Sequence, residues 1–296
     1  MNKKISLVLS GGGARGIAHI GVIYELERQG FEIVSIAGTS MGSLVAGAYA
    51  MGKLNEFKEW MISLDKMKVF KLVDFTLSRQ GLIKGDKVFN RMKDFMPDAN
   101  IEDLPIPYCA VAVDIKNNKE VVFTSGSLYE AIRASVSVPT VFTPVKTKEG
   151  LLVDGGVMNN IPINRVKHIE GSSLIAVDVN ANIPVDKPKI SKKEKEENHS
   201  VYQKKLNEFY AHIQKMNPLS ASTEETMGYF DVINRTINLM THNTALLLLK
   251  HHEPELMIEI SGQVCGIFDF YRAAELIEIG KHATLKSLKS RDFVVN

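Results

Sequence analysis

A serine hydroxyl becomes a useful nucleophile when the backbone exposes it and a neighbouring base takes its proton. Ser40 stands in Gly38-Thr39-Ser40-Met41-Gly42, between the apolar run Ile33–Ala37 and a helical pattern from Ser43 to Met51. That is the strand-turn-helix setting of a nucleophile elbow. Such a turn strains the serine backbone, so the residues two positions to either side must lack side chains. The hydroxyl then sits at a helix N-terminus, where unpaired N–H groups favour developing negative charge. The five-residue pattern alone recurs by chance as a plain turn; its setting singles it out here.

A second glycine-rich turn, Ser10-Gly11-Gly12-Gly13-Ala14-Arg15-Gly16, follows the apolar run Ile5–Leu9 and opens a helical pattern running to Gly30. Its glycines also spell a dinucleotide fingerprint, but that reading needs an acid at the end of the second strand. Gly38-Thr39-Ser40 stands there instead, and Glu32 lies at the strand's beginning. An oxyanion hole fits better, because adjacent parallel strands bring both glycine turns to one sheet edge. Each preorganised donor of that kind stabilises a transition state by roughly 3–4 kcal/mol. The oxyanion set is therefore Gly11, Gly12, Gly13, Arg15 and Gly16, with Arg15 read as bracing the loop rather than contacting an anionic head group.

None of the eight histidines stands in a setting that marks a catalytic base, and His19, one turn into the first helix, reads as a helix-face residue. Asp154 is the stronger candidate. It ends the apolar run Leu151–Val153 and precedes Gly155-Gly156, so another loop can approach closely. An ordinary aspartate, at about 3.9, is a poor base. Partial desolvation beside Val153 is expected to raise it.

Together, Gly11–Gly16, Gly38–Gly42, Asp154–Gly156 and the segment Ala131–Pro144 resemble the patatin-like phospholipase family in order and spacing. The resemblance covers roughly Ile5 to Val179. It implies a Ser40–Asp154 dyad, an oxyanion hole in the first glycine loop, a three-layer α/β/α sandwich with a mainly parallel sheet, and acyl-ester hydrolysis with no metal or cofactor. The expected substrate is a lipid or fatty acyl ester, cleaved as by a phospholipase A or lysophospholipase through an acyl-enzyme. A transacylase using the same dyad and a non-catalytic lipid-binding protein are the rival readings.

The elements needed to position these residues are legible as alternating strands and helices. Strands are expected at Tyr108–Asp114, Val121–Thr124, Val141–Val145, Leu151–Val153, Leu174–Val179 and Leu256–Ile260, and helices at Lys84–Met96, Leu128–Ala134 and Tyr271–Leu288. This alternation argues for a parallel sheet covered on both faces. The expected organisation is a core over 1–183, a polar insertion or lid over 184–227, and a helical region over 228–296 whose last strand and helix complete the core. Pro184–Lys205 carries seven lysines and four acidic residues. A membrane-approach element and a plain solvated surface are both open to it.

Composition narrows the class further. With 45% hydrophobic residues among 296 the chain can bury a full core, and a net charge of +2 gives no field for nucleic acid. Cys109 and Cys265 lie far apart in apolar stretches, so neither a disulfide framework nor a cysteine zinc site is expected. No secretory leader or membrane-spanning run is expected, which points to the cytoplasm, with transient contact at a membrane surface.

Overall fold

The computed structural model describes residues 3–72, 83–186 and 229–290. Strand β1 (Lys4–Leu9) leads through a 3-10 turn into helix α1 (Ala18–Arg28). β2 (Glu32–Thr39) leads into α2 (Met41–Ala50), followed by α3 (Leu54–Ile62), α4 (Lys66–Leu72) and α5 (Asp86–Lys93). β3 (Tyr108–Asp114) and β4 (Lys119–Phe123) form a hairpin that precedes α6 (Leu128–Ser135). Next come β5 (Val145–Lys146), β6 (Leu151–Asp154) and β7 (Ser173–Ala181). The described chain ends with α7 (Tyr229–His251), β8 (Leu256–Ser261) and α8 (Ala273–Lys289).

One sheet runs in the order β5-β6-β3-β2-β1-β7-β8, with β4 also paired to β3. The five strands from β3 to β8 along this path are parallel, while β4 and β6 pair antiparallel with opposite edges of β3 and β5 pairs antiparallel with β6. Central strands buried on both faces read as near-continuous apolar runs. Ile5–Leu9 and all seven residues of β3 are buried accordingly. α1 is enclosed as well, with eight of its eleven residues buried, because α8 covers the face it turns away from the sheet. The two helices approach closely at paired glycines: a Cβ on Gly21 would run into the Ile277 carbonyl, and one on Gly280 into the Ala18 carbonyl.

The expected strand Val141–Val145 is corrected: only Val145–Lys146 is strand, and Phe142 makes a single bridge to Ile83. Apolar β-branched residues favour a strand there, but Pro139 and Pro144 lack donors, and Thr140 turns the chain at φ 71°. The N–H groups of Val141 and Phe142 instead fold back onto the Val138 carbonyl. The expected helix 84–96 is shorter, since Gly85 at φ 85° stands outside its first turn. Most of the polar insertion lies outside the described residues.

The close helix pair gives a direct test. Gly280→Ala should destabilise the protein by about 2–3 kcal/mol through overpacking against α1, read as a lowered denaturation midpoint with unchanged slope.

Candidate functional site

Register places the two candidate catalytic residues. Leu9 of β1 pairs with Gly38 of β2, so the loops after both strands leave the same sheet edge. Thr39 pairs with Val111 and Ala112 pairs with Asp154. Because β4 fills the opposite edge of β3 along 110–114, β2 and β6 share one edge and meet end to end, which sets Ser40, one residue beyond Thr39, beside Asp154. Gly155 lets the Asp154 turn close against the end of β2: a Cβ there would strike the Val111 carbonyl and come within 3.1 Å of the Thr39 methyl.

Ser40 adopts φ 54° and ψ −127°, outside the regions a side-chain-bearing residue favours. The surroundings hold it there. Its N–H donates to the buried Ser135 hydroxyl at 2.9 Å, and its carbonyl accepts from the Ser43 hydroxyl at 2.7 Å. A Cβ on Gly38 would strike the Gly42 carbonyl group, and one on Gly42 would strike the carbonyl oxygens of Leu9 and Ser10. Thr39 anchors the approach by donating to the Asn159 carbonyl at 2.8 Å, and Met41 packs against Gly16, where a Cβ would lie 2.5 Å from its Cγ.

The glycine loop wraps beside this elbow. Gly11 is committed on both sides, its N–H donating to the Asn160 carbonyl at 3.1 Å and its carbonyl accepting from the Asn180 amide at 2.6 Å. Ala14 N–H donates to the Ile267 carbonyl. Between them, the N–H groups of Gly12 and Gly13 have no partner among the described residues. Of the expected oxyanion set, these two therefore carry free donors. Arg15 turns away and donates to the Gly262 carbonyl at 2.9 Å, tying the loop to the segment after β8. Burial lowers its pKa, with Cys265 and Asp178 acting in the opposite sense.

Asp154 is 5% exposed. Its Oδ1 accepts the Gly156 N–H at 2.7 Å, whereas its Oδ2 is buried without a well-formed partner. Burial pushes the carboxyl up to about 6, and hydrogen bonding from the Ser40 hydroxyl and the Gly156 N–H offsets only part of that rise. The Ser40 contact is thus close enough to be felt yet too loose to satisfy Oδ2, as is common in unliganded sites.

His19 is fully buried, and its Nε2–H donates to the Ser10 carbonyl at 2.8 Å while Nδ1 has no partner. Burial drops its pKa to about 4, so the ring is neutral near pH 7 and holds the strand end that leads into the glycine loop. Sequence reasoning missed this role, as it missed Ser135, Asn160 and Asn180. A lone histidine among Ile17, Ile20 and Ile23 was the available signal. His242, on α7, lines the same cavity as Ser40.

That cavity, of about 720 Å3, opens over Ser40, Asp154 and the glycine loop. Its far wall is apolar, with Trp60, Met61, Leu64, Phe89 and Phe142 among its residues. Such a volume, largely apolar with a few converging polar groups, suits a small amphiphile.

The sequence matches the model of the patatin-like phospholipases over residues 7–166. The chain belongs to that family. It is 31% identical to an uncharacterised NTE-family protein of Mycobacterium tuberculosis, covering 97% of this chain and 92% of the relative. Neuropathy target esterase sws of Drosophila melanogaster is 32% identical over 189 residues, which is 62% of this chain and 13% of the fly protein. VipD from Legionella pneumophila superposes with a TM-score of 0.46 at 15% identity, covering 98% of this chain and 67% of that one. Family membership places the chain among lipid hydrolases.

The isolated carboxyl has a cost that can be measured. A folded pKa of about 6 against an ordinary 3.8 means that the folded state binds more protons between those values, so stability falls as pH rises through about 6. Asp154→Asn removes the buried charge and should stabilise the protein by about 1–3 kcal/mol above that range. The gain should vanish below about pH 4, where both states of the parent carboxyl are protonated, as followed by denaturant titration at each pH.

Proposed function

We propose that the protein is a serine acyl-ester hydrolase acting on lipids, of the phospholipase A or lysophospholipase type, with Ser40 as nucleophile and Asp154 as its base. The observation that carries this reading is the pairing of a strained, cavity-facing serine with a buried carboxyl raised to about 6. A carboxylate of that basicity, ionised near pH 7, is matched to accept a hydroxyl proton.

In the proposed cycle the Ser40 oxygen attacks the acyl carbonyl while its proton passes to Asp154 Oδ2. The tetrahedral oxyanion is received by the Gly12 and Gly13 N–H groups. Collapse expels the alkoxide, which takes the proton from Asp154, leaving an acyl-enzyme. Water then attacks the acyl carbon, gives its proton to the same carboxylate, and the fatty acid departs as Ser40 is reprotonated. The apolar wall from Trp60 to Phe142 takes the acyl chain and excludes competing water.

Ser40→Ala should abolish both ester hydrolysis and labelling by a fluorophosphonate while leaving the fold intact. Asp154→Asn should lower kcat by about 100- to 10,000-fold, whereas His242→Asn should leave turnover near that of the parent. A collapse on changing His242 with folding preserved would replace the dyad with a histidine-based site.

The pH profile gives an independent check. Because the base must be ionised, kcat/KM should fall as pH drops through about 6 and level off above it. A profile flat through that region would remove Asp154 from the role.

A further inference from the structure

α7 wears its apolar residues on the wrong side for a helix that merely covers a core. Leu239 and Met240 are 62% and 61% exposed, Leu247 is 59%, and Val232 and Leu246 are 46% and 45%. At 3.6 residues per turn these positions share one face, interrupted by Thr236 and Asn243 and ending at Lys250. No acidic residue stands among the exposed side chains described on the helix, and Lys250, His251 and His252 lie exposed at its C-terminal end. Scattered exposed apolar residues need no explanation, but a contiguous stripe does.

The inner face of the same helix belongs to the candidate site. Thr241, His242 and Ala245 line the cavity, and the Thr241 hydroxyl donates to the Gly156 carbonyl at 3.0 Å, in the turn that carries Asp154. Leu239 does both, lining the cavity while largely open to solvent. A helix with its side chains is about 10–12 Å across, so whatever covers the outer stripe lies within about one helix diameter of the Asp154 turn.

We propose that the outer face of α7 is the surface by which the protein docks on a lipid bilayer, laying the helix in the membrane interface beside the cavity mouth. The proposal rests on the reading of the site as a lipid acyl hydrolase, and three observations select this occupant. The stripe is continuous, through Leu239, with a cavity suited to an amphiphile. Among the described residues its exposed apolar side chains are aliphatic except for Met240, with none of the aromatic or arginine anchors that concentrate in protein interfaces. Among the described side chains of the stripe the only charge is that of Lys250, with the acids Glu253 and Glu255 beyond the helix end, and a basic charge on the polar side suits an interfacial helix. No helix among the described residues is long and apolar enough to cross a membrane, so α7 would lie on the surface rather than span it.

The test uses Met240→Ser, Leu246→Ser and Leu247→Ser combined, three exposed positions outside the cavity lining. In the Ser40→Ala background, co-sedimentation with unilamellar phosphatidylcholine vesicles measures docking without hydrolysis. With Ser40 intact, hydrolysis of the same vesicles is compared with that of soluble p-nitrophenyl butyrate. The triple variant should lose vesicle partitioning by about tenfold or more, since each side chain withdrawn from the interface forfeits burial. Vesicle hydrolysis should fall in step, with butyrate hydrolysis unchanged.

Equal vesicle partitioning with and without the three substitutions would overturn the proposal. So would a parent that is dimeric by light scattering and becomes monomeric in the variant with partitioning unchanged, which would make the stripe a subunit interface. If the parent cleaves neither ester, the hydrolase reading fails, while co-sedimentation still decides the docking surface by itself.

Discussion

A serine held at φ 54° between two glycines is the constraint around which the molecule is arranged. The strained turn persists only because neighbouring groups over-determine it. The Ser135 hydroxyl receives the Ser40 N–H from α6, Ser43 caps the Ser40 carbonyl from α2, and Thr39 reaches the Asn159 carbonyl. Those partners come from three separate elements, so the elbow is a product of the completed fold rather than of the local sequence. The glycines have the complementary task of clearing space, for at Gly38 and Gly42 any Cβ would meet backbone.

Around that turn the sheet distributes its polar groups unevenly. Among the described residues the backbone donors at Gly12 and Gly13 have no partner, while the peptide at Gly11 is tied down on both sides. Asp154 Oδ2 and His19 Nδ1 are both buried without partners. Native interiors rarely leave such groups unsatisfied, and those that remain concentrate where chemistry happens. Here one unpaired acceptor and two unpaired donors line the same cavity as the serine. His19, neutral through burial, contributes by fixing the Ser10 carbonyl rather than by exchanging protons.

Much of this was legible in the residues, and the boundary between what was and was not has a physical cause. Gly11–Gly13, Gly38–Gly42 and Asp154–Gly156 announce themselves because glycine answers a steric demand that no other residue meets. The strands β1, β3 and β7 read clearly because burial on both faces leaves a nearly continuous apolar run. Ser135, Asn160 and His19 carry no such mark: their partners lie 95, 149 and 9 positions away, brought together only by packing. Val141–Val145 misled because strand propensity counts side chains, whereas the two prolines and the φ of Thr140 decide the backbone. The apolar wall of the cavity draws on α3 and α4, whose apolar residues say nothing in sequence about facing a cavity instead of a core.

That no cationic group among the described residues partners Asp154 has an electrical consequence. In a site where an imidazole receives the proton, the transition state separates charge, creating a cation next to the new oxyanion. With a carboxylate in that place, proton transfer neutralises the acceptor as the oxyanion forms. On the proposed mechanism, one negative charge simply migrates from the Asp154 turn to the glycine loop, and no ion pair is ever created. The pocket's total charge stays constant throughout turnover, so the same low-dielectric surroundings can serve the resting enzyme and the transition state without solvent having to reorganise.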